Sequence, residues 1–418
     1  MAYKIHEPSN EYRVTPPSLQ ANFFRFRKNQ VATTTDDRVE SENLEDILKY
    51  FFAFAKLIGV RPVRNPVIRW SSFVLIPALL LSHTTVDLVG WAKKPISERY
   101  TNAFEMCIQI ASAQFYGIGA IIYIVLHWRE SNLTKIFEKW RKLPVDIPDV
   151  GLRKFSILVP GFIMTSAILE NICFHFRMFP VFDPPPDINN LTWGAFQVYY
   201  DRHHTNWSLL VPFHPILGTL LILANKFALY AWNYADLLVV VLCRALAFRF
   251  AALYRQVEDG NVPWTILWKR YAQLMEILNL LEAFLSPSVL LCFYINLYAT
   301  CMQLHSWMTP ESNLYFLHTI YLLWSFVHLL VRVFLVMYHA SRVQNLVEYY
   351  FTLVQNCPLQ FYTKELARQI RYPNSVERHG MGISGMGCFV ITKPFMLRFA
   401  SVAFFFEVFL NTSERVHC

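Results

Sequence analysis

The chain has 418 residues, is 54% hydrophobic and 16% charged, and carries a formal charge of +8. Soluble domains carry about 25% charge, so this composition excludes an ordinary soluble protein and points to a membrane. The excess of Lys and Arg requires no nucleic acid, because its placement along the chain follows a membrane topology, as set out below.

Residues 1–43 are polar and contain no apolar core of a signal peptide, so they are expected to form a flexible N-terminal segment on the cytoplasmic side. Apolar stretches follow at about 68–90, 104–128, 155–176, 214–243, 279–305, 313–338 and 383–412. About 20 apolar residues cross the hydrocarbon layer, so the expected fold is all-α and polytopic, with seven transmembrane helices. The N-terminal 66 residues together with 129–154, 244–270 and 339–378 hold 27 Lys and Arg, against six in the alternate connections and the tail. That asymmetry puts the N-terminus in the cytoplasm and the C-terminus outside. The long outer loop 177–212 contains the sequons Asn190-Leu191-Thr192 and Asn206-Trp207-Ser208, which agrees with that orientation.

Two of the helices are expected to continue past the bilayer. Leu238, Leu242, Leu246, Phe250, Leu253 and Val257 keep helical spacing after the fourth span. Leu267, Tyr271, Leu274, Ile277, Leu278 and Leu281 form one stripe leading into the fifth. With amphipathic material at 341–372 these stretches predict a cytoplasmic anchor domain. The organisation is therefore 1–43 as the flexible N-terminus, 44–378 as helices one to six with a ligand pocket and anchor helices, and 379–418 as the seventh helix and a short outer tail.

Catalytic and metal-binding patterns are missing. The eight cysteines are scattered singly, with no C-x-x-C pair. "YYDRHHTNW" (199–207) brings Asp201, His203 and His204 together but lacks ligands at helical spacing, so a solvated loop is expected. No phosphate-binding loop, zinc-protease or nucleophile-elbow motif occurs. No cofactor, metal or enzymatic activity is indicated. A G-protein-coupled receptor is opposed by the inside N-terminus and by the missing acid-Arg-aromatic and N-P-x-x-Y motifs.

Four stretches, in order, resemble the insect gustatory receptor family and its sugar-taste subgroup: "FAFAKLIGVRPV" (52–63), "AWNYADLLVVVLCRALAFRF" (231–250), "LSPSVLLCFYINLYATCMQL" (285–304) and "ISGMGCFVITKPFMLRFASVAFFFEVFLNT" (383–412). The resemblance implies a tetrameric, ligand-gated, non-selective cation channel in the plasma membrane, homomeric or built with related subunits. Its partners would be a sugar-like tastant and membrane lipid, with the seventh helix lining the pore. The sequence departs from the family's closing motif, since its Thr-Tyr is Phe405-Phe406 and its late Gln is Thr412, while its Thr-Arg is Thr392-Lys393.

Polar side chains inside spans are costly and mark candidate sites, and sugars need hydrogen-bonding groups together with aromatic faces. The candidates for ligand contact are Gln109, Glu170, Asn171, Asn225, Trp232, Asn233, Gln303, His318, Tyr321, Trp324 and His328. Asp236 is expected to pair with Arg244 or Arg332. The family places pore-facing side chains at positions matched by Phe409 and Thr412, and Phe405 shares their stripe at 100° per residue. Arg398, seven residues before Phe405, falls on that stripe or at its cytoplasmic mouth. Glu407, about 200° from Phe409 around the helix, is expected to face neighbouring helices and to need a partner or a proton. The alternative function is a non-conducting partner subunit or scaffold that needs a related chain to form a channel.

Overall fold

The computed structural model describes residues 43–63, 65–95, 103–143, 150–178, 193–258, 264–308, 316–355 and 381–417. The N-terminal segment, the sequon at Asn190 and the chain beyond Gln355 up to 380 lie outside the described residues. Among the described residues the structure is helical apart from one isolated bridge, Ser384 to Val390.

The helices in chain order are α1 (Leu44–Ile47), α2 (Lys49–Leu57), α3 (Pro66–Lys93), α4 (Ala103–Trp128), α5 (Glu130–Arg141), α6 (Val150–Met178), α7 (Trp193–His203), α8 (Thr205–Ser208), α9 (Pro215–Glu258), α10 (Trp264–Met308), α11 (Phe316–Gln355) and α12 (Lys393–His417). Their starts follow local chemistry. Asn65 caps α3, its Oδ1 accepting from the Val67 amide at 2.9 Å, with Pro66 in the first turn. Thr392 caps α12 by accepting from the Phe395 amide at 3.2 Å. α12 therefore begins ten residues later than the expected span. The stretch before it folds instead as a turn, with Met386 and Gly387 at φ 51° and 75°.

Among the described residues six helices are long and apolar enough to cross a membrane: α3, α4, α6, α9, α10 and α11. The protein is a multi-pass membrane protein. α12 has 25 residues but carries Lys393, Arg398, Glu407, Glu414 and Arg415, and it is not one of these six.

α9 forms the centre of the bundle. Every residue from Ala231 to Cys243 is buried, so this helix is enclosed on all sides, as a helix apolar all round must be. It packs against α3, α4, α6, α10 and α11. α12 packs on α10, with smaller contacts to α4 and α11.

The extensions of α9, α10 and α11 meet at one end. Phe250, Tyr271 and Tyr350 pack as tilted and T-shaped rings with centroids 5.8–6.4 Å apart. The Tyr350 hydroxyl donates to the Phe250 carbonyl at 3.2 Å. The expected stripes are buried at Leu238, Leu242, Leu246, Phe250 and Leu253, and at all six positions from Leu267 to Leu281. α5 closes over this end through Lys139 and Glu276, 2.7 Å apart. Arg61, Arg129, Lys135 and Arg141 gather here, so it is called the basic end below.

Candidate functional site

Two polar layers lie inside the bundle. The central one joins α6, α9, α10 and α11. Arg332 Nε stands 2.8 Å from Asp236 Oδ2. Its terminal nitrogens donate to Asn296 Oδ1 at 2.6 Å and to Asn233 Oδ1 at 3.0 Å. Asn296 Nδ2 donates back to Asp236 at 3.1 Å. His328 Nε2 lies 3.2 Å from Asn233 Oδ1, and its Nδ1 lies 2.9 Å from Ser166 Oγ. These side chains are at most 8% exposed. A buried charge survives in such surroundings only when paired and hydrogen-bonded, and this set does both. The partner of Asp236 is Arg332, while the Arg244 guanidinium lies over the Phe155 ring at 4.4 Å.

A short branch leads from this layer towards the α7/α8 end. Ser325 donates to Glu170 Oε1 at 2.5 Å, and Gln303 Nε2 donates to Ser325 at 2.7 Å. Trp324 Nε1 donates to the Ser166 carbonyl at 3.4 Å. Gln303 Oε1 is buried with no partner among the described residues, so its acceptor capacity is unused there.

The second layer sits below α7 and α8. Asn171 donates to Asn225 at 2.8 Å, and Asn225 donates to the Tyr116 hydroxyl at 3.4 Å. His175 bridges Asn225 at 3.3 Å and the Tyr199 hydroxyl at 2.6 Å. Lys226 Nζ hydrogen-bonds Asn171 Oδ1, an amide where a carboxylate would be the usual partner. His83 is stacked on Tyr116 at 3.7 Å and lies 3.1 Å from Asp87, which also accepts from Ser112 at 2.6 Å and Asn206 at 3.3 Å. Asn206 packs on Gly90, where a Cβ would fall 2.5 Å from its Oδ1. Only glycine admits α8 so close to α3.

His204 in this cap is 4% exposed. Burial first, then the neighbouring His203, His83 and His175, hold its pKa down at about 2. Burial likewise pushes the Tyr199 hydroxyl up. "YYDRHHTNW" is thus largely helical, with Tyr199, Tyr200 and His204 buried and Asp201, Arg202 and Thr205 exposed, and not the solvated loop expected. Among the described residues no three His, Cys, Asp or Glu side chains are placed to hold a metal.

The structure brings Glu170, Gln303 and Trp324 together along α6, α10 and α11, and puts Asn233 and His328 in the central layer. Asn171 belongs to the second layer. Tyr321 faces the Phe174 ring at 5.6 Å and Trp232 faces Phe115 at 4.9 Å. Gln109 is half-buried on α4, and the His318 side chain lies outside the described residues. Sequence reading missed Lys226, His175, His83 and Asp87. Each is an ionisable residue within an apolar span, which was the available signal.

On α12 the buried face is Phe399, Ala403, Glu407 and Leu410. Glu407 is 1% exposed, and its Oε1 stands 3.2 Å from His305 Nδ1 on α10. The opposite face is Arg398, Phe405, Phe409 and Thr412, all exposed, with Phe405 at 70% and Phe409 at 60%.

The family model described as the trehalose receptor matches residues 48–416. Among curated relatives, "Gustatory receptor for sugar taste 64b" of Drosophila melanogaster is 22% identical over 62% of this chain and 64% of its own length. "Gustatory receptor for sugar taste 64a" is 28% identical over 28% of this chain and 27% of its own length. "Gustatory receptor 5a for trehalose" is 22% identical over 94% and 90%. The chain thus spans less than two thirds of the first two and nine tenths of the third. Among solved structures, the insect olfactory receptor OR5 of Machilis hrabei in complex with eugenol aligns with a TM-score of 0.59 at 14% identity, covering 88% of this chain and all of that one. It shares the fold.

Proposed function

The chain belongs to the trehalose receptor family, and on that premise we propose that it is a gustatory receptor that forms a cation channel gated by a sugar or similar polyol. Helix α10 carries the reading. Gln303 on α10 donates to Ser325, which donates in turn to Glu170, while His305, two residues on, holds Glu407 of α12. Two residues along a helix are about 200° apart. One rigid helix therefore touches the candidate pocket on one side and the candidate pore helix on the other.

A polyol hydroxyl donating to Gln303 Oε1, with others exchanging bonds with Glu170 and Ser325, would bind one α10 position better than another. A ligand shifts a two-state equilibrium only by such differential affinity. Movement of α10 would then be passed to α12 through the His305–Glu407 contact. Phe405 and Phe409 would close the pore by excluding water and open it by moving apart. The tetramer, the pore-lining role of α12 and the orientation with the basic end in the cytoplasm belong to this proposal.

A second reading is supported by Arg398, exposed on the same face as Phe405 and Phe409. Four such cations around an axis oppose cation entry. In this reading the chain is a partner subunit that conducts only beside a related receptor chain.

The test is current recorded from cells expressing this chain alone and with a related family member, under a panel of mono- and disaccharides. Current from the chain alone supports the first reading, and current only on co-expression supports the second. Silence in both settings despite surface expression rejects the channel.

A further inference from the structure

At the basic end, outside the polar layers, α3 and α4 enclose a cleft of about 260 Å³ lined by Arg69, Trp70, Phe73, His127 and Trp128. Trp70 is 63% exposed and Trp128 80% exposed. Arg69 is also exposed, and its guanidinium makes no ion pair or hydrogen bond among the described residues. Its neighbours are already engaged, because Arg61 pairs with Glu130 at 2.8 Å and Arg129 donates to the Ala283 carbonyl. Phe73 packs between Trp70 and His127, with centroids 6.0 and 5.6 Å away.

His127 provides a second observation. Its Nδ1 is committed to the Tyr123 carbonyl at 2.9 Å. Its Nε2 is buried with no partner among the described residues, on a ring that lines the cleft. With the proton on Nδ1, Nε2 is an acceptor, and an acceptor left unpaired is costly unless an occupant donates to it.

We propose that this cleft binds an anionic phospholipid with a hydroxylated head group, of the phosphatidylinositol class, from the cytoplasmic leaflet. Arg69 matches the phosphate with paired donors. A ring hydroxyl donates to His127 Nε2, and the ring lies on the indole face of Trp128. The acyl chains run inward along the exposed apolar stripe of α3 that continues from Trp70, where Val74 and Leu81 are 49% and 43% exposed. Tryptophan and arginine at a helix end are the residues that anchor at the lipid head-group level, and the cytoplasmic leaflet supplies the anionic lipid. The assignment rests on the orientation with the basic end inside and is independent of what opens the pore.

The experiment uses the full chain purified in neutral detergent and reads the melting temperature during titration with short-chain phosphatidylinositol. Phosphatidylcholine of the same chain length, glycerophosphoinositol and inorganic phosphate are the comparison arms. Phosphatidylinositol is expected to raise the melting temperature, and Arg69→Gln to weaken its apparent affinity about tenfold or more, one charge-assisted contact's worth. Trp128→Ala, at an exposed position whose loss leaves the bundle intact, is expected to weaken it as well. Both variants should melt like the wild type without lipid. An equal shift with phosphatidylcholine, or affinity unchanged in both variants, overturns the proposal. A full shift with glycerophosphoinositol or phosphate alone also overturns it, since the site would then take a soluble anion and not a lipid.

Discussion

His305 Nδ1 and Glu407 Oε1 stand 3.2 Å apart in a site that excludes water, with the histidine ring 4.0 Å from the Phe104 ring. The contact ties the last helix to α10 by a bond that is strong only while both partners are present. Glu407→Ala leaves His305 facing a void, and removing one partner of a buried pair costs about 3–5 kcal/mol. Glu407→Gln keeps a hydrogen-bonding side chain and should cost about 1 kcal/mol. Thermal unfolding of the purified receptor should therefore rank wild type above Gln above Ala. Equal losses for Gln and Ala would show that the contact is mere packing.

The exposed and buried faces of α12 make opposite predictions for thiol modification. Cysteines at Phe405, Phe409 and Thr412 should react with a charged methanethiosulfonate in the intact assembly and change ligand-evoked current. Cysteines at Ala403 and Leu410, which are 5% and 1% exposed, should be silent. Current changes at the buried pair alone would reverse the assignment of faces.

The ion pair at the centre of the bundle should be conditional on its whole network. Asp236→Asn leaves Arg332 buried without a counter-charge, at a cost of about 3–5 kcal/mol. Asp236→Asn combined with Arg332→Met removes both charges and should recover much of that loss. A double-mutant cycle on melting temperature measures the coupling. Strictly additive losses would mean that Arg332 and Asp236 do not act as a pair.

The sequence reads these helices and helix faces well and reads their partners poorly. Runs of about 20 apolar residues are a property of the segment alone, so α3, α4, α6, α9, α10 and α11 were all legible, and α9 to α11 also in their extensions past the membrane. The wheel of α12 likewise put Glu407 away from Phe405 and Phe409. That His305 would be its partner was not legible, because the two are 102 residues apart and neither carries a mark of the other. The start of α12 was misjudged although its signal was present, a Thr-Lys-Pro cap after a glycine-rich turn. Hydrophobicity alone cannot separate a packed turn from a helix. The second polar layer was half seen. Asn171 and Asn225 are among the candidate residues for ligand contact, whereas Lys226, which hydrogen-bonds Asn171, is not.

At the candidate pocket, Gln303→Leu removes both the donor to Ser325 and the free Oε1 acceptor. The half-maximal ligand concentration should rise about tenfold or more, equivalent to about 1.4 kcal/mol. Lys226→Met removes the ammonium from Asn171 and should shift ligand preference without abolishing surface expression. Dose–response curves in cells that conduct would show both effects. An unchanged curve for Gln303→Leu would remove α10 from the ligand site.

His204 makes acid a specific stress on the α7/α8 cap. Burial with three histidine neighbours holds its folded pKa at about 2, against about 6.5 in an unfolded chain. The unfolded state therefore takes up a proton first, so the neutral packing of His204 stabilises fully above the unfolded value. That stability is lost as pH falls below it, towards the folded value, at no more than about 1.4 kcal/mol per pH unit. The expected window opens just below pH 6.5 and spans the mildly acidic range. His204 is the group to test because it packs between His203, His83 and Tyr200, with centroids 4.5–6.0 Å away, and none of these supplies a carboxylate. Melting temperature at pH 7.5 and at pH 5.5 should differ more for the wild type than for His204→Gln, which keeps an amide of similar reach and cannot take a proton. If the two proteins lose equal stability over that interval, the acid sensitivity lies elsewhere and the His204 account is rejected.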